Sequence, residues 1–202
     1  MQWNDFLQHV LPSVKGCPDD TAISHVIRAA RDFASHSLVW QYQAPTISTV
    51  AGHADYTLQI PDTEDLVRLL LCEVDGEAYL IPNGFNGRQM VRQGRANICA
   101  LNSPRDFTLS PPPPNDGLAI VTEVAVKPAF VGSKWPDDLD EHVPDIAHGA
   151  LSTLLCMPGV TWRDEVAAAR EASIFTQRCG AAAIRVAKGY GNTRRRGKVS
   201  WF

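Results

Sequence analysis

Residues 19–60, DDTAISHVIRAARDFASHSLVWQYQAPTISTVAGHADYTLQI, contain the change of hydrophobic period that decides the fold. Up to about Trp40, apolar residues recur every three or four positions, which is typical of an amphipathic helix with one buried face. Beyond Trp40 the period becomes two, because Tyr56, Leu58 and Ile60 alternate with polar residues as in a half-buried strand. This stretch therefore predicts helix followed by sheet, with the boundary near Trp40.

Two helices are predicted before this boundary. The first has its apolar stripe over residues 6–14 and is ended by Gly16. The second is opened by Pro18, and the carboxylates of Asp19 and Asp20 complement the positive end of its dipole. Its stripe consists of Ala22, Ile23, Val26, Ile27, Ala30, Phe33 and Ala34. A short Gly/Pro link between two such helices predicts a hairpin.

Strand-like runs and turn signals fill the middle of the chain, from about Trp40 to Val131. Asp75-Gly76 stands between the apolar runs 69–74 and 78–81, which indicates a two-residue β-hairpin. Further alternating runs include 107–110 and 118–126. We predict an antiparallel sheet of six or seven short strands, with residues 85–94 as either a short helix or a loop.

Helical period returns after the strands. One apolar stripe comprises Leu139, Val143, Ile146, Ala147, Ala150, Leu151, Leu154 and Leu155, and it ends at Pro158-Gly159. The acidic run 137–141 lies at its N-terminus, where carboxylates complement the helix dipole. The last helix runs to about Lys188, and Thr161 is predicted to cap it together with Asp164 three residues later.

The predicted fold is α+β, a four-helix bundle with an inserted antiparallel β module. Two N-terminal and two C-terminal helices, residues 1–40 and 132–188, form the bundle. Residues 41–131 form the β module, and residues 189–202 form an extended basic and aromatic tail.

Charge is distributed unevenly along a chain of ordinary composition. Hydrophobic residues make up 45% and charged residues 20%, as in a soluble globular protein, and no run of apolar residues is long enough to predict a membrane span. The formal net charge is −3, yet residues 188–202 contain five basic and no acidic residues. Residues 1–187 therefore hold 14 basic against 22 acidic side chains, a net charge of −8. No secretory signal is expected at the start of the chain.

No motif for catalysis or cofactor binding is found, so the sequence predicts no enzyme, no cofactor and no metal. The five cysteines are scattered without any C-x-x-C pair, which indicates reduced packing residues, and no two of the six histidines are four residues apart. The acidic run 137–141 is interpreted as helix capping, with a hard-cation site as the alternative. Residues 111–114, four prolines, are interpreted as a stiff connector rather than a polyproline ligand. Residues 191–200 depart from the spacing of a phosphate-binding loop.

The segment GNTRRRGKVSWF, residues 191–202, combines basic and aromatic side chains without periodicity. Three interpretations remain open: a solvated end, a docking arm for another protein, and a nucleic-acid-binding tail. Docking is favoured because guanidinium groups bind carboxylates bidentately, and because Arg and Trp are frequent interface anchors. A nucleic acid would instead pair its phosphates with the arginines and stack its bases on the aromatic rings. The candidate binding residues are Arg194, Arg195, Arg196, Lys198, Trp201 and Phe202.

The order of these features resembles the head-to-tail adaptor (connector) proteins of tailed bacteriophages. The resemblance covers nearly the whole chain and rests on the order and spacing of several stretches, not on one diagnostic motif. These stretches are FLQHVLP (6–12), IRAARDF (27–33), TVAG (49–52) and IAHGALSTLLCMPGVTW (146–162).

The resemblance implies a structural virion protein at the head–tail junction, assembled in the host cytoplasm. Such adaptors form a ring, usually a dodecamer, beneath the portal protein and send C-terminal tails into grooves between portal subunits. The implied partners are the portal protein, a downstream tail or nozzle protein and further copies of this chain, with DNA only passing through the channel and no membrane. Arg194–Arg196, Lys198, Trp201 and Phe202 are then expected to bind the portal. The alternative function is nucleic-acid binding by the arginine-rich tail.

Overall fold

The computed structural model describes residues 1–82 and 97–189, which form a mixed α+β structure with four α-helices and antiparallel sheets. The helices are α1 (Leu7–Val10), α2 (Asp19–Ser37), α3 (Val143–Leu154) and α4 (Glu165–Lys188). The predicted α+β class is thereby confirmed. Among the described residues, no helix combines the length and apolar character needed to cross a membrane.

The first predicted helix, residues 6–14, is helical but contains only one turn of α-helix. Short 3-10 segments, Trp3–Phe6 and Leu11–Ser13, flank α1. Pro12 has no amide hydrogen, and its ring would clash with the carbonyl four residues earlier, so an α-helix cannot continue through it. The predicted end at Gly16 is therefore wrong, because the helical segment stops before Val14.

The second helix begins directly after Pro18, as predicted. It ends at Ser37 because Leu38 adopts a left-handed conformation, with φ 55°. Its predicted apolar stripe is buried except for Ile23 and Ile27, which are half-buried.

The third and fourth helices bury one face each. Every residue of the predicted stripe from Leu139 to Leu155 is buried, and a 3-10 segment, Asp137–His142, leads into α3. The prediction that Thr161 caps α4 is wrong. Asp164 is itself the N-cap, since its backbone is extended and its Oδ1 accepts a hydrogen bond from the Ala167 amide at 2.9 Å.

Eight strands lie within the described residues, in two antiparallel sheets. They are β1 (Gln41–Gln43), β2 (Ile47–Ser48), β3 (Asp55–Thr57), β4 (Glu64–Val74), β5 (Glu77–Ala78), β6 (Ile98–Leu101), β7 (Asp106–Ser110) and β8 (Ala119–Pro128). One sheet has the order β1-β8-β4-β5, with β2 also paired to β8, and the other has the order β3-β7-β6. The predicted number of six or seven strands is therefore corrected, while the predicted antiparallel pairing is confirmed.

The long antiparallel pair of β4 (11 residues) and β8 (10 residues) also differs from the short strands that were predicted. Its register shifts after Leu66 and after Leu69, and such bulges bend a strand and let it continue. The predicted hairpin at Asp75-Gly76 is confirmed, since β4 and β5 pair across it and both turn residues have positive φ (52° and 81°). Residues 85–94, predicted as a short helix or a loop, lie outside the described residues.

The two sheets share one core. The segment after β5 joins them, because Leu80 forms a parallel bridge with Ile98 of β6. The largest fully buried side chains between the sheets are Leu58, Phe107, Leu109 and Ile120. A second cluster lies among the helices and includes Phe6, Phe33, Trp135, Ile146 and Leu154.

Arg31 of α2 connects the helices to the sheet. Its guanidinium lies 2.7 Å from the Asp65 carboxylate and donates to the Pro128 carbonyl at 2.5 Å. It also lies 3.9 Å from the centroid of the Phe130 ring, a cation–π contact. A side chain of the helical cluster is thus bonded to both central strands, β4 and β8.

Candidate functional site

All six predicted binding residues lie outside the described residues. They are Arg194, Arg195, Arg196, Lys198, Trp201 and Phe202. The described chain reaches Gly189, one residue past α4, so α4 and its neighbours form the base of the predicted tail. The structure therefore shows how that base is held.

The helix α4 has stabilising features at both ends. Asp164 caps the N-terminus, and Arg185 and Lys188 lie in the last turn, where positive charge is favourable to the helix dipole. Gly189 ends the helix with φ 67°, a conformation that glycine adopts without steric cost. At 24 residues, α4 is about 36 Å long.

Three ion pairs cross the interface between α4 and the segment that contains α3. Their members on α4 are seven residues apart, which is two helical turns and places them on one face. The pairs are Glu171 with His148, Arg178 with Asp145 (3.4 Å) and Arg185 with Glu141 (3.2 Å). As the number on α4 rises, the partner's number falls, so the two segments run antiparallel.

Glu171 is the buried member of this series. It is 7% exposed, and its two carboxylate oxygens contact His148 and the Arg170 guanidinium (3.1 Å). Burial alone would raise the pKa of Glu171, but the hydrogen bonds from His148 and Arg170 outweigh it, so the pKa lies below its ordinary value. Glu171 is consequently ionised at neutral pH and fixes the N-terminal half of α4.

His142 occupies the other end of the interface. It is 3% exposed, and its ring centroid lies 5.0 Å from that of Phe33 on α2. Its ring nitrogens are 3.5 Å from Glu141 and 3.4 Å from Asp145. These two carboxylates also contact Arg185 and Arg178, so His142 connects α2 to the charged pairs along α4.

Basic residues are concentrated in two segments of the chain that contain no acidic residue. The described residues contain 12 Lys and Arg against 22 Asp and Glu, a net charge of −10. The other seven basic residues are divided between segments 83–96 and 190–202, neither of which contains an acidic residue. The ion pair between Glu141 and Arg185 places the acidic 3-10 segment Asp137–His142 beside the C-terminal end of α4. The base of the basic tail therefore adjoins an acidic surface.

The polar side chains of this region act as structural links. The His25 ring contacts the Thr153 hydroxyl at 2.7 Å, and that hydroxyl donates to the Ala150 carbonyl at 2.9 Å. Burial, and then Asp145 and Asp32, raise the pKa of the Cys179 thiol to about 11, so it is not a thiolate at neutral pH. Within residues 1–82 and 97–189, no group of three or more His, Cys, Asp and Glu side chains is placed to hold a metal ion.

Sequence reasoning missed the ion pairs across the α3–α4 interface. A usable signal was present, because Glu171, Arg178 and Arg185 repeat at seven-residue intervals inside an otherwise Ala-rich helix. Charges at that spacing on one helix face indicate a partner element of complementary charge.

Comparison with known proteins gives no assignment. No protein-family model matches this chain, and no curated protein matches it. The class of protein must therefore be inferred from the residues and their geometry.

Proposed function

We propose that this protein is a head-to-tail adaptor of a tailed bacteriophage, a structural protein that forms a ring between the portal and the tail. One observation carries the proposal. Residues 1–187 contain 22 acidic and 14 basic side chains, whereas residues 191–202, which follow α4, contain four basic and two large aromatic side chains and no acidic one. An acidic structure with a basic docking arm is what such an adaptor requires.

The arrangement of the fold is part of this proposal. Residues 1–40 and 132–188 would form a four-helix bundle, with residues 41–131 inserted as a β module and residues 189–202 as an extended tail. The two clusters of buried side chains, one among the helices and one between the sheets, support this division. The order of elements along the chain, in which helices are followed by strands and then by helices again, supports the same division.

The acidic surface suits a channel for DNA. Phosphates are repelled by carboxylates, so DNA can pass along a protein whose residues 1–187 carry a net charge of −8 without adhering to it. In this proposal the protein forms a dodecamer by head-to-tail contacts that close on rotation, and the ring meets a downstream tail or nozzle protein on its other side. It acts in the virion, has no membrane contact and catalyses no reaction.

The tail supplies the contact with the portal. Arg194, Arg195 and Arg196 would bind portal carboxylates bidentately, with Lys198 adding charge, while Trp201 and Phe202 enter an apolar pocket. Ordering the residues of the tail costs on the order of 1–2 kcal/mol each in backbone entropy, so several anchors must act together.

Deletion of residues 190–202 tests the docking arm. We expect the melting temperature to change by less than about 2 °C, because the sequence of this segment has no helical or strand periodicity and chain termini of that kind contribute little to a core. We expect association with portal rings of the same phage, measured by co-sedimentation and electron microscopy, to be lost. A truncated protein that still joins portal rings with undiminished affinity would contradict the proposed role of the tail.

Nucleic-acid binding by the tail is the alternative function, and the three consecutive arginines favour it. Replacement of Arg194, Arg195 and Arg196 by Lys separates the two, because Lys keeps the charge but loses the bidentate geometry. A docking arm loses most of its portal affinity in this variant, whereas a phosphate-binding tail keeps most of its affinity for duplex DNA and its salt dependence. Arg163→Lys, on the exposed start of the α4 region, serves as the matched control.

A further inference from the structure

The helix α4 has one side that is exposed along its whole length. Val166 is 84% and Ile184 is 56% exposed, although both side chains are large and apolar. Residues at spacings of three, four and seven share one side of a helix, and the exposed series on α4 consists of Val166, Arg170, Ser173, Gln177, Ile184 and Lys188. This outer side of α4 lies opposite to Ala168 and Ala182, which belong to the buried cluster among the helices.

The outer side of α4 combines apolar and basic side chains. Arg170 and Lys188 are its two charged members, and Arg170 is 72% exposed although it also contacts Glu171. The acidic residues of α4 do not belong to this side, because Glu171 is buried and Glu165 contacts Arg163 near the start of the helix. A partner for this side must therefore offer both apolar contacts and carboxylates.

The sheet β1-β8-β4-β5 has an open face of the opposite charge. Two neighbouring cross-strand rows form this open face, namely Gln43, Glu123 and Leu71 in one row and Val121, Glu73 and Ala78 in the other. Cys72 and Thr122, which pair between the two rows, are fully buried in the core between the sheets. Alternate side chains of a strand point to opposite faces, so the two rows face away from that core. All six residues are exposed or half-buried.

The open face of the sheet combines apolar and acidic side chains. Leu71 and Val121 are half-buried there, beside the carboxylates of Glu73 and Glu123. Within residues 1–82 and 97–189, neither carboxylate forms an ion pair, not even with the neighbouring Arg68 of β4. The two surfaces are thus complementary in charge, and both contain apolar groups.

One copy of the chain cannot bring these two surfaces together. On α2, the Phe33 ring lies 6.2 Å from the Phe175 ring of α4, whereas Arg31 contacts Asp65 and the Pro128 carbonyl of the sheet. Helix positions two apart point in directions that differ by about 200°. The helix α4 and the sheet therefore lie on opposite sides of α2, and the outer side of α4 faces away from both.

We propose that the outer side of α4 in one copy packs against the open face of the sheet in the next copy. The apolar groups of the two surfaces would meet, and Arg170 and Lys188 would lie among the carboxylates of Glu73 and Glu123. Because the surfaces differ and lie on opposite sides of the molecule, the contact is head-to-tail and can close into a ring. The inference rests on the proposed function for the identity of the partner, a second copy of this chain, and it names the surfaces that the ring would use.

Exchange of charge between the two surfaces tests the contact. Glu123→Lys makes the open face of the sheet more basic, and Ile184→Glu makes the outer side of α4 acidic. We expect each variant alone to raise the dissociation constant of self-association at least about tenfold, because like charges then face each other. An equimolar mixture of the two variants should assemble again, because every contact between unlike copies is complementary. Both side chains are exposed, so each melting temperature should stay within about 2 °C of the wild type.

Glu77→Lys is the matched control for Glu123→Lys. Glu77 belongs to the same sheet and gives the same change of charge, but it pairs in register with Val74, which points into the core, so it lies on the other face. Self-association of the full chain is measured by sedimentation velocity, and the number of copies on portal rings of the same phage is counted by electron microscopy. The control should assemble like the wild type in both measurements.

The possible results separate this inference from the proposed function. Variants Glu123→Lys and Ile184→Glu that assemble like the wild type, alone and on portal rings, overturn the inference and leave the proposed function standing, because a ring can use other surfaces. A wild-type protein that assembles through these surfaces but does not bind portal rings supports the inference and contradicts the proposed function. A wild-type protein that stays monomeric alone and on portal rings overturns both.

Discussion

Gly149 shows how a single residue is fixed by helix packing. A Cβ atom at this position of α3 would lie 2.7 Å and 2.8 Å from ring carbons of Phe175 on α4 and 3.0 Å from the Cβ of Ala29 on α2. Glycine costs about 1 kcal/mol relative to alanine inside a helix. It is required here because α3 has no room for a side chain between its two neighbours.

Gly149→Ala should therefore destabilise the protein, although alanine is the better helix former. We expect the free energy of unfolding, measured in urea, to fall by about 1–3 kcal/mol because the Phe175 ring must move. Gly180→Ala on α4 is the matched control. A Cβ there meets open space, so the substitution should stabilise by about 0.5–1 kcal/mol. Equal stabilisation by both substitutions would contradict the close packing at Gly149.

Glu171 contributes to the stability of the fold in a way that depends on pH, and the direction of its pKa shift gives the sign of that dependence. Its pKa is lowered in the folded protein, so its stabilisation is fully present above the unfolded value of 4.5 and is lost as the pH falls through the lower folded value. Glu171→Gln should reduce the free energy of unfolding by about 1–2 kcal/mol at pH 7, because His148 and Arg170 lose their contacts with a buried, charged carboxylate. The difference between wild type and variant should shrink below pH 4.5, as followed by urea unfolding at several pH values.

The exposed pair of Arg163 and Glu165 is the control for this measurement. Both side chains are largely exposed, at 47% and 66%. Arg163→Gln should change stability by less than about 0.5 kcal/mol at pH 7. A Glu171→Gln variant with the same small effect, and with no change in pH dependence, would show that the His148–Glu171 contact does not stabilise the fold.

At the scale of elements, the start of α4 depends on one cap. Asp164→Ala removes the acceptor of the Ala167 amide and should lower the free energy of unfolding by about 1 kcal/mol. Thr161→Ala should have little effect, because Thr161 is exposed and precedes the cap by three residues. Circular dichroism during urea unfolding compares the two variants, and a larger loss in Thr161→Ala would restore the cap predicted from the sequence.

Elements with strong local signals could be predicted closely, and those without them could not. The stripe from Leu139 to Leu155 and the Asp75-Gly76 hairpin were identified because helical spacing and turn conformation are properties of neighbouring residues. The length of β4 was not predicted. Its bulges exist only because β8 pairs with it across a register that shifts, and no local pattern contains that information.

At the scale of the whole molecule, Arg31 links α2 to the sheet. Arg31→Ala removes the contacts with Asp65, the Pro128 carbonyl and Phe130 at once. We expect the free energy of unfolding to fall by about 1–3 kcal/mol. Arg28→Ala is the control, because Arg28 lies one turn earlier on α2 and is exposed. Similar losses in both variants would argue against a specific link between α2 and the sheet.

The charge pattern of the candidate site is evident from the sequence, whereas the surroundings of the helix that precedes the tail are seen only in the structure. The basic and aromatic segment after α4 is evident from composition alone, because no acidic residue interrupts it. That α4 ends beside the acidic segment Asp137–His142 follows from the Arg185–Glu141 pair, which joins residues 44 positions apart. Such a contact depends on how helices pack and leaves no trace in either segment by itself.

By itself the sequence determined the class of the fold, the positions of the long helices, the tight hairpin and the separation of charge. Each of these depends on residues within one or two turns of one another, where spacing alone decides which side chains share a face. Only the tertiary structure decided that the strands form two sheets, that Leu80 bridges to Ile98, and that Arg31 reaches both β4 and β8. Those outcomes depend on pairing and packing between distant segments, whose free energy is gained only when the whole core assembles.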